Sequence, residues 1–203
     1  MMMSIQCADV ARGLDFLHRR EIVHGAVRPS NVVVRPDGSC VLGVFSDEDA
    51  PSADTLDHFG AYLAPELINP PAYYIFALDN YRSGEYAGEY RLESDIYALG
   101  CTAIEIFTGA PPAPLRIPYD RVHTRKALFQ LARTPGPRER STIPASVRAA
   151  LSDIMHTVPE HRPHSGNALQ WFDRPDLLRV KACAPVLART QMRRAARSFW
   201  NSS

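Results

Sequence analysis

The segment Ser94–Thr108, SDIYALGCTAIEIFT, is apolar on nearly every side of a helical projection. A surface helix shows one apolar stripe, whereas a helix that is apolar all round has to be enclosed by other elements. Whatever else this chain does, it must wrap partners around that helix. Gly109-Ala110-Pro111-Pro112 stops it, since glycine and proline end a helix through backbone freedom and a missing donor. At 203 residues the chain is of single-domain size and long enough to bury a substantial core.

The wrapping elements can be read on either side. Residues 5–19 have helical spacing, with Ile5, Ala8, Val10, Ala11, Leu14, Phe16 and Leu17 inward and Asp9, Arg12 and Asp15 outward. Val32-Val33-Val34, the turn Arg35-Pro36-Asp37-Gly38 and the run Cys40–Phe45 predict a β-hairpin. From Ser46 to about Gly60 the chain is acidic and polar, which predicts an exposed loop. Helices are expected at 122–133, 145–156 and 164–172, and a more polar one near 175–199.

Composition removes several classes of function. The formal net charge is +1, so no polyanionic partner is implied and no specific nucleic-acid binding is expected. Cys7, Cys40, Cys101 and Cys183 are scattered without metal-ligand spacing, which fits a reducing, intracellular compartment, cytoplasmic or nuclear. No apolar run reaches the ~18 residues of a transmembrane segment, and the start lacks signal-peptide character.

The chemistry-bearing stretch is His24-Gly25-Ala26-Val27-Arg28-Pro29-Ser30-Asn31. It resembles the catalytic loop of the protein kinase superfamily, H-R-D-L-K-P-x-N, with His24, Pro29 and Asn31 at matching offsets. Further motifs follow in the family's order. Val44-Phe45-Ser46 stands where D-F-G is expected, and Ala64-Pro65-Glu66 matches A-P-E. Ser94–Gly100 resembles the S-D-V-Y-S-x-G opening of the family's central helix, Thr108–Pro112 its T-G-x-x-P ending, and His161-Arg162-Pro163 its closing R-P. Each alone is weak; six in order are specific. The resemblance runs from about residue 5 to 172 and includes no glycine-rich loop and no V-A-I-K lysine.

The implied fold is mainly α: a protein-kinase-like C-terminal lobe with a small β-hairpin, the N-terminal β lobe being absent. Its expected bounds are 1–173, with a basic helical tail at 174–203 carrying Arg189, Arg193, Arg194 and Arg197. Active relatives use ATP and magnesium, with one aspartate accepting the substrate hydroxyl's proton and another holding the metal. Ala26 and Val44 occupy those two positions, and neither side chain can accept a proton or ligate a hard cation. Arg28 replaces the usual lysine and can still meet a phosphate.

No functional catalytic residue and no cofactor or metal are therefore expected. His24 is expected to pack inside the loop and bond backbone, and Asn31 to brace it. Asp47, Glu48 and Asp49 read as a solvated acidic loop. By the resemblance, Glu66 pairs with Arg162 in a buried salt bridge and Asp95 accepts hydrogen bonds from the loop backbone. The expected function is that of a pseudokinase, a protein-binding or scaffolding module with a protein partner or self-association. The alternative is a fragment of an active ATP-dependent protein kinase. The tyrosine-rich connection from Tyr73 to Tyr90 and the basic tail are the candidate partner surfaces.

Overall fold

The computed structural model describes residues 3–43, 61–68, 90–110, 112 and 143–173. Five α-helices are described: α1 (Met3–His18), α2 (Pro65–Ile68), α3 (Leu92–Thr108), α4 (Ala145–Ile154) and α5 (Ser165–Phe172). A two-stranded antiparallel sheet pairs β1 (Val32–Val34) with β2 (Cys40–Leu42), Val33 opposite Val41. Short 3-10 turns span Pro29–Asn31 and Pro159–His161.

Helix α3 is the centre. Ser94 through Ile104 are buried without interruption, as are Ile106 and Phe107, which is what its all-round apolar sequence requires. Helices α1 and α4 pack on it, and α5 closes against both of them. Gly100 lets α4 approach: an added Cβ would overlap Met155 Cγ and stand 2.9 Å from Ile154 Cγ2. Gly109 ends the helix in the left-handed region at φ 79°, its N–H donating to Glu105 O at 2.8 Å.

Helix α1 buries Cys7, Val10, Ala11 and Leu14, one stripe at helical spacing. Three assignments from its periodicity need correction. Asp15 is inward, 7% exposed, because α5 brings the Ser165 hydroxyl onto its Oδ1 at 2.9 Å. Phe16 is outward and 57% exposed, with the Arg20 guanidinium 3.7 Å over its ring. Asp9 also reaches inward: its Oδ2 accepts the Cys40 N–H at 2.8 Å and pins β2 to the helix.

The hairpin forms where the valine run and the Pro-Asp-Gly turn predict it. Arg35 N–H donates to Ser39 O at 2.8 Å, and Gly38 supplies the required positive φ, 86°. Alternation buries Val32 and Cys40 and exposes Val33 and Val41. Val44, Phe45, the acidic loop, most of the tyrosine-rich connection, the expected helix at 122–133 and the basic tail lie outside the described residues. No helix among the described residues is long and apolar enough to cross a membrane.

Candidate functional site

The loop from His24 to Asn31 runs between α1 and β1, and α3 holds it from below. Asp95, in the first turn of α3 and 1% exposed, accepts the His24 N–H at 2.7 Å on Oδ2 and the Gly25 N–H at 2.8 Å on Oδ1. The His18 ring adds a third contact, Nε2 to Oδ2 at 3.0 Å. A carboxylate with this many donors satisfies its burial locally. Gly25 sits at φ 72°, a backbone conformation that glycine adopts without strain. About two turns further along α3, the buried Thr102 hydroxyl donates to Val27 O at 3.2 Å.

His24 bonds backbone on both ring nitrogens. Its Nε2 lies 2.7 Å from Gly43 O, and its Nδ1 accepts the Ala26 N–H at 3.2 Å. Those roles call for the tautomer with the proton on Nε2. Asn31, 4% exposed, donates from Nδ2 to Ala26 O at 2.8 Å. Both backbone groups of Ala26 are thus engaged by its neighbours, while its side chain is a methyl. Gly43, the last described residue before Val44, donates its N–H to Asn31 O at 2.7 Å. The loop and the end of β2 form one hydrogen-bonded unit.

Glu66 and Arg162 meet in a second cluster. The guanidinium donates from Nη1 to Oε1 at 2.6 Å and from Nη2 to Oε2 at 2.7 Å, the two-point geometry of a strong ion pair. The Arg162 side chain is fully buried and that of Glu66 is 16% exposed. Arg162 also donates to Glu93 O and to His156 O, each at 2.8 Å, and lies 5.1 Å over the Tyr97 ring. Ser94 Oγ donates to Glu66 Oε1 at 3.0 Å. One ion pair therefore ties α2, the start of α3 and the turn before α5.

Tyr62 donates its phenol proton to Glu105 on α3. Burial pushes the Tyr62 phenol far above its ordinary range, the Glu105 charge adds to this, and the Arg28 charge opposes it. Arg28 thus lies within electrostatic reach of the 61–68 segment. The sequence alone does not point to His18, Thr102 or the Tyr62–Glu105 contact. A threonine inside an otherwise apolar buried helix was the available signal for Thr102; His18 looked like an ordinary basic residue at a helix end.

The sequence pattern of the protein kinase domain matches residues 3–172. The chain belongs to the protein kinase family. It is 31% identical over 144 residues to Misshapen-like kinase 1 of Rattus norvegicus, covering 66% of this chain and 9% of that protein. Mitogen-activated protein kinase kinase kinase 1 of Arabidopsis thaliana is 25% identical over 171 residues, 83% of this chain and 25% of the relative. Mitogen-activated protein kinase kinase kinase 17 of the same plant is 34% identical over 107 residues, 51% of this chain and 24% of the relative. The chain spans a quarter or less of the length of these curated relatives. The mostly helical body with one small antiparallel sheet fits part of a kinase fold.

Proposed function

We propose that this kinase domain does not transfer phosphate and serves as a protein-binding or scaffolding module, its described residues forming the larger, C-terminal lobe. The observation that carries the reading is Ala26. It occupies the position where a carboxylate would take the substrate hydroxyl's proton, in a loop whose backbone at His24, Gly25 and Ala26 is held by Asp95, His24 and Asn31. No residue from His24 to Asn31 carries a carboxylate, and Val44 stands at the family's metal position. Asn31 offers one amide oxygen, a poor donor set for magnesium, which wants near-octahedral oxygen coordination. The residues present do not fit the metal that active relatives use, and Glu66, Asp95 and Arg162 are placed to hold the fold.

The test is a phosphate-transfer assay with radiolabelled ATP, magnesium and generic protein substrates. Transfer at background level is the expected result. Transfer above it that tracks the purified chain would favour the other reading, part of an active ATP-dependent protein kinase.

A further inference from the structure

The tip of the hairpin carries a chemically labile peptide bond. Of the 11 glycines in the sequence, Gly38 alone follows an aspartate or an asparagine, namely Asp37. At such a bond the glycine amide nitrogen can attack the aspartate side-chain carboxyl, because glycine has no Cβ to block the approach. Asp37 is exposed and Gly38 half-buried, so water reaches the reacting groups.

The fold restrains both of those groups. Asp37 Oδ1 accepts the Ser39 N–H at 2.9 Å and the Ser39 hydroxyl at 2.7 Å, which ties the carboxyl to the residue beyond Gly38. The Ser39 hydroxyl first, and then its N–H, hold the Asp37 carboxyl below the usual carboxylate range. An ionised carboxylate is a poorer electrophile than the neutral acid, which can release its hydroxyl as water. The Gly38 N–H meanwhile donates to Arg35 O at 2.9 Å, so attack on Asp37 has to break that bond.

We propose that Asp37–Gly38 is a site of isomerisation to isoaspartate, and that the Ser39 hydroxyl is the restraint that keeps it intact in the folded hairpin. The step needs no oxidant or reductant. The Gly38 nitrogen bonds to Asp37 Cγ, and the proton it loses leaves as water with the carboxyl hydroxyl, closing a succinimide ring. Water then cleaves the bond from Gly38 N to the Asp37 main-chain carbonyl carbon, and the chain continues through the former side chain. Mass is unchanged, but the main chain is longer by a methylene. The Arg35 N–H bond to Ser39 O and the Val34–Cys40 pairing close directly over this point. The longer main chain therefore works against the strand register and against the Cys40 N–H bond to Asp9.

The experiment incubates the full chain at near-neutral pH, folded and in urea. It counts isoaspartate by methyl transfer from S-adenosylmethionine with an isoaspartyl methyltransferase. Lost cleavage by Asp-N protease before residue 37 maps the product, since that enzyme does not cut at isoaspartate. Product at residue 37 is expected, slow in the folded wild type and faster in urea, and absent there in Asp37→Glu. Folded Ser39→Ala should form it roughly fivefold faster than wild type, the rate equivalent of one lost hydrogen bond. Ser39→Thr, which keeps the hydroxyl, should stay near the wild-type rate, while Ser39→Val, of the same shape without it, should match Ser39→Ala. Amide exchange at Cys40 shows whether the hairpin stays closed in each variant, and if Ser39→Ala opens it, the threonine and valine variants decide. No product at residue 37, equal rates in folded and urea-unfolded wild type, or equal rates with and without the Ser39 hydroxyl would overturn the proposal.

Discussion

Asp95 and His24 are 71 positions apart in the chain, yet the His24 N–H donates to Asp95 Oδ2 at 2.7 Å. This contact joins the buried central helix to the first residue of the loop, and Gly25 extends it with a second backbone N–H. Replacing Asp95 by alanine strands two backbone donors and removes the His18 partner in a buried setting. A loss of about 3–5 kcal/mol is expected from such unsatisfied groups. Urea denaturation of Asp95→Ala against wild type measures it; a loss below about 1 kcal/mol would mean that water replaces the carboxylate freely.

The Glu66–Arg162 pair should behave as a coupled unit. Removing either partner leaves the other charge buried, at a typical cost of ~3–5 kcal/mol. The double variant should lose clearly less than the sum of the two single losses. The exposed Arg12–Asp9 contact, with the Arg12 side chain 53% exposed, provides the contrast: Arg12→Ala is expected to cost ~0–1 kcal/mol. Equal denaturation midpoints for Arg12→Ala and Arg162→Ala would contradict the burial described.

What could be read from the sequence follows from which forces leave a periodic trace. Apolar enclosure does, so α3 could be placed from Ser94–Thr108 alone, and β-branched residues beside Pro-Asp-Gly placed the hairpin. Long-range polar bonds leave none. Asp15 looked solvent-facing because its partner, the Ser165 hydroxyl, is 150 positions away. Phe16 looked inward because an aromatic next to Leu14 and Leu17 adds to the apparent stripe, although α1 turns it outward under Arg20. At the site, family spacing pointed to Glu66, Asp95 and Arg162. It said nothing of His18 or Thr102, whose roles depend on where α3 runs beneath the loop.

Helix packing at Gly100 makes a steric prediction. An alanine Cβ there would overlap Met155 Cγ and crowd Ile154 Cγ2 at 2.9 Å. Alanine normally favours a helix over glycine by up to about 1 kcal/mol, so propensity and packing have opposite signs here. Overpacking of a close-fitted core costs ~1–3 kcal/mol, and Gly100→Ala should therefore destabilise. At Gly166 the added Cβ would stand 3.4 Å from Asp15 Oδ1, an ordinary contact, so Gly166→Ala should be tolerated. A thermal midpoint for Gly100→Ala at or above that of the wild type would show that α3 and α4 sit farther apart.

Among the described residues, two buried thiols and the half-buried Tyr62 phenol resist deprotonation in the fold. Burial, with the charges of Asp9 and Asp37 adding, pushes the Cys40 thiol from 9.0 to about 12. Cys7 is pushed higher still, by burial first and Cys40 second, and Tyr62 is raised by burial and then Glu105. Each folded pKa lies above its unfolded value, so the stability these groups contribute is full below about pH 8.5, where unfolded thiols stay protonated. It falls as pH rises towards the folded values, because the unfolded chain releases protons that the folded one retains. The urea midpoint should be flat from about pH 7 to 8 and drop between about pH 9 and 11. Cys40→Val should flatten part of that drop; a profile unchanged by it would show that the thiol is not held protonated.

Restoring one carboxylate should not restore chemistry. Ala26→Asp returns a proton acceptor to a loop whose backbone is already fixed through His24 Nδ1 and Asn31 Nδ2, so the variant is expected to fold. Phosphoryl transfer also needs a metal bridging the phosphates and a lysine pairing with them. By the family resemblance Val44 stands at the metal position and its side chain offers no ligand, and no V-A-I-K lysine is present in this sequence. Catalytic groups that act as a unit are far from additive, so on the proposed reading one repaired member gains almost nothing. Phosphate transfer by purified Ala26→Asp is expected at the wild-type background with magnesium and ATP in excess. Turnover clearly above that background would show that the remaining parts are supplied by residues outside the described loop.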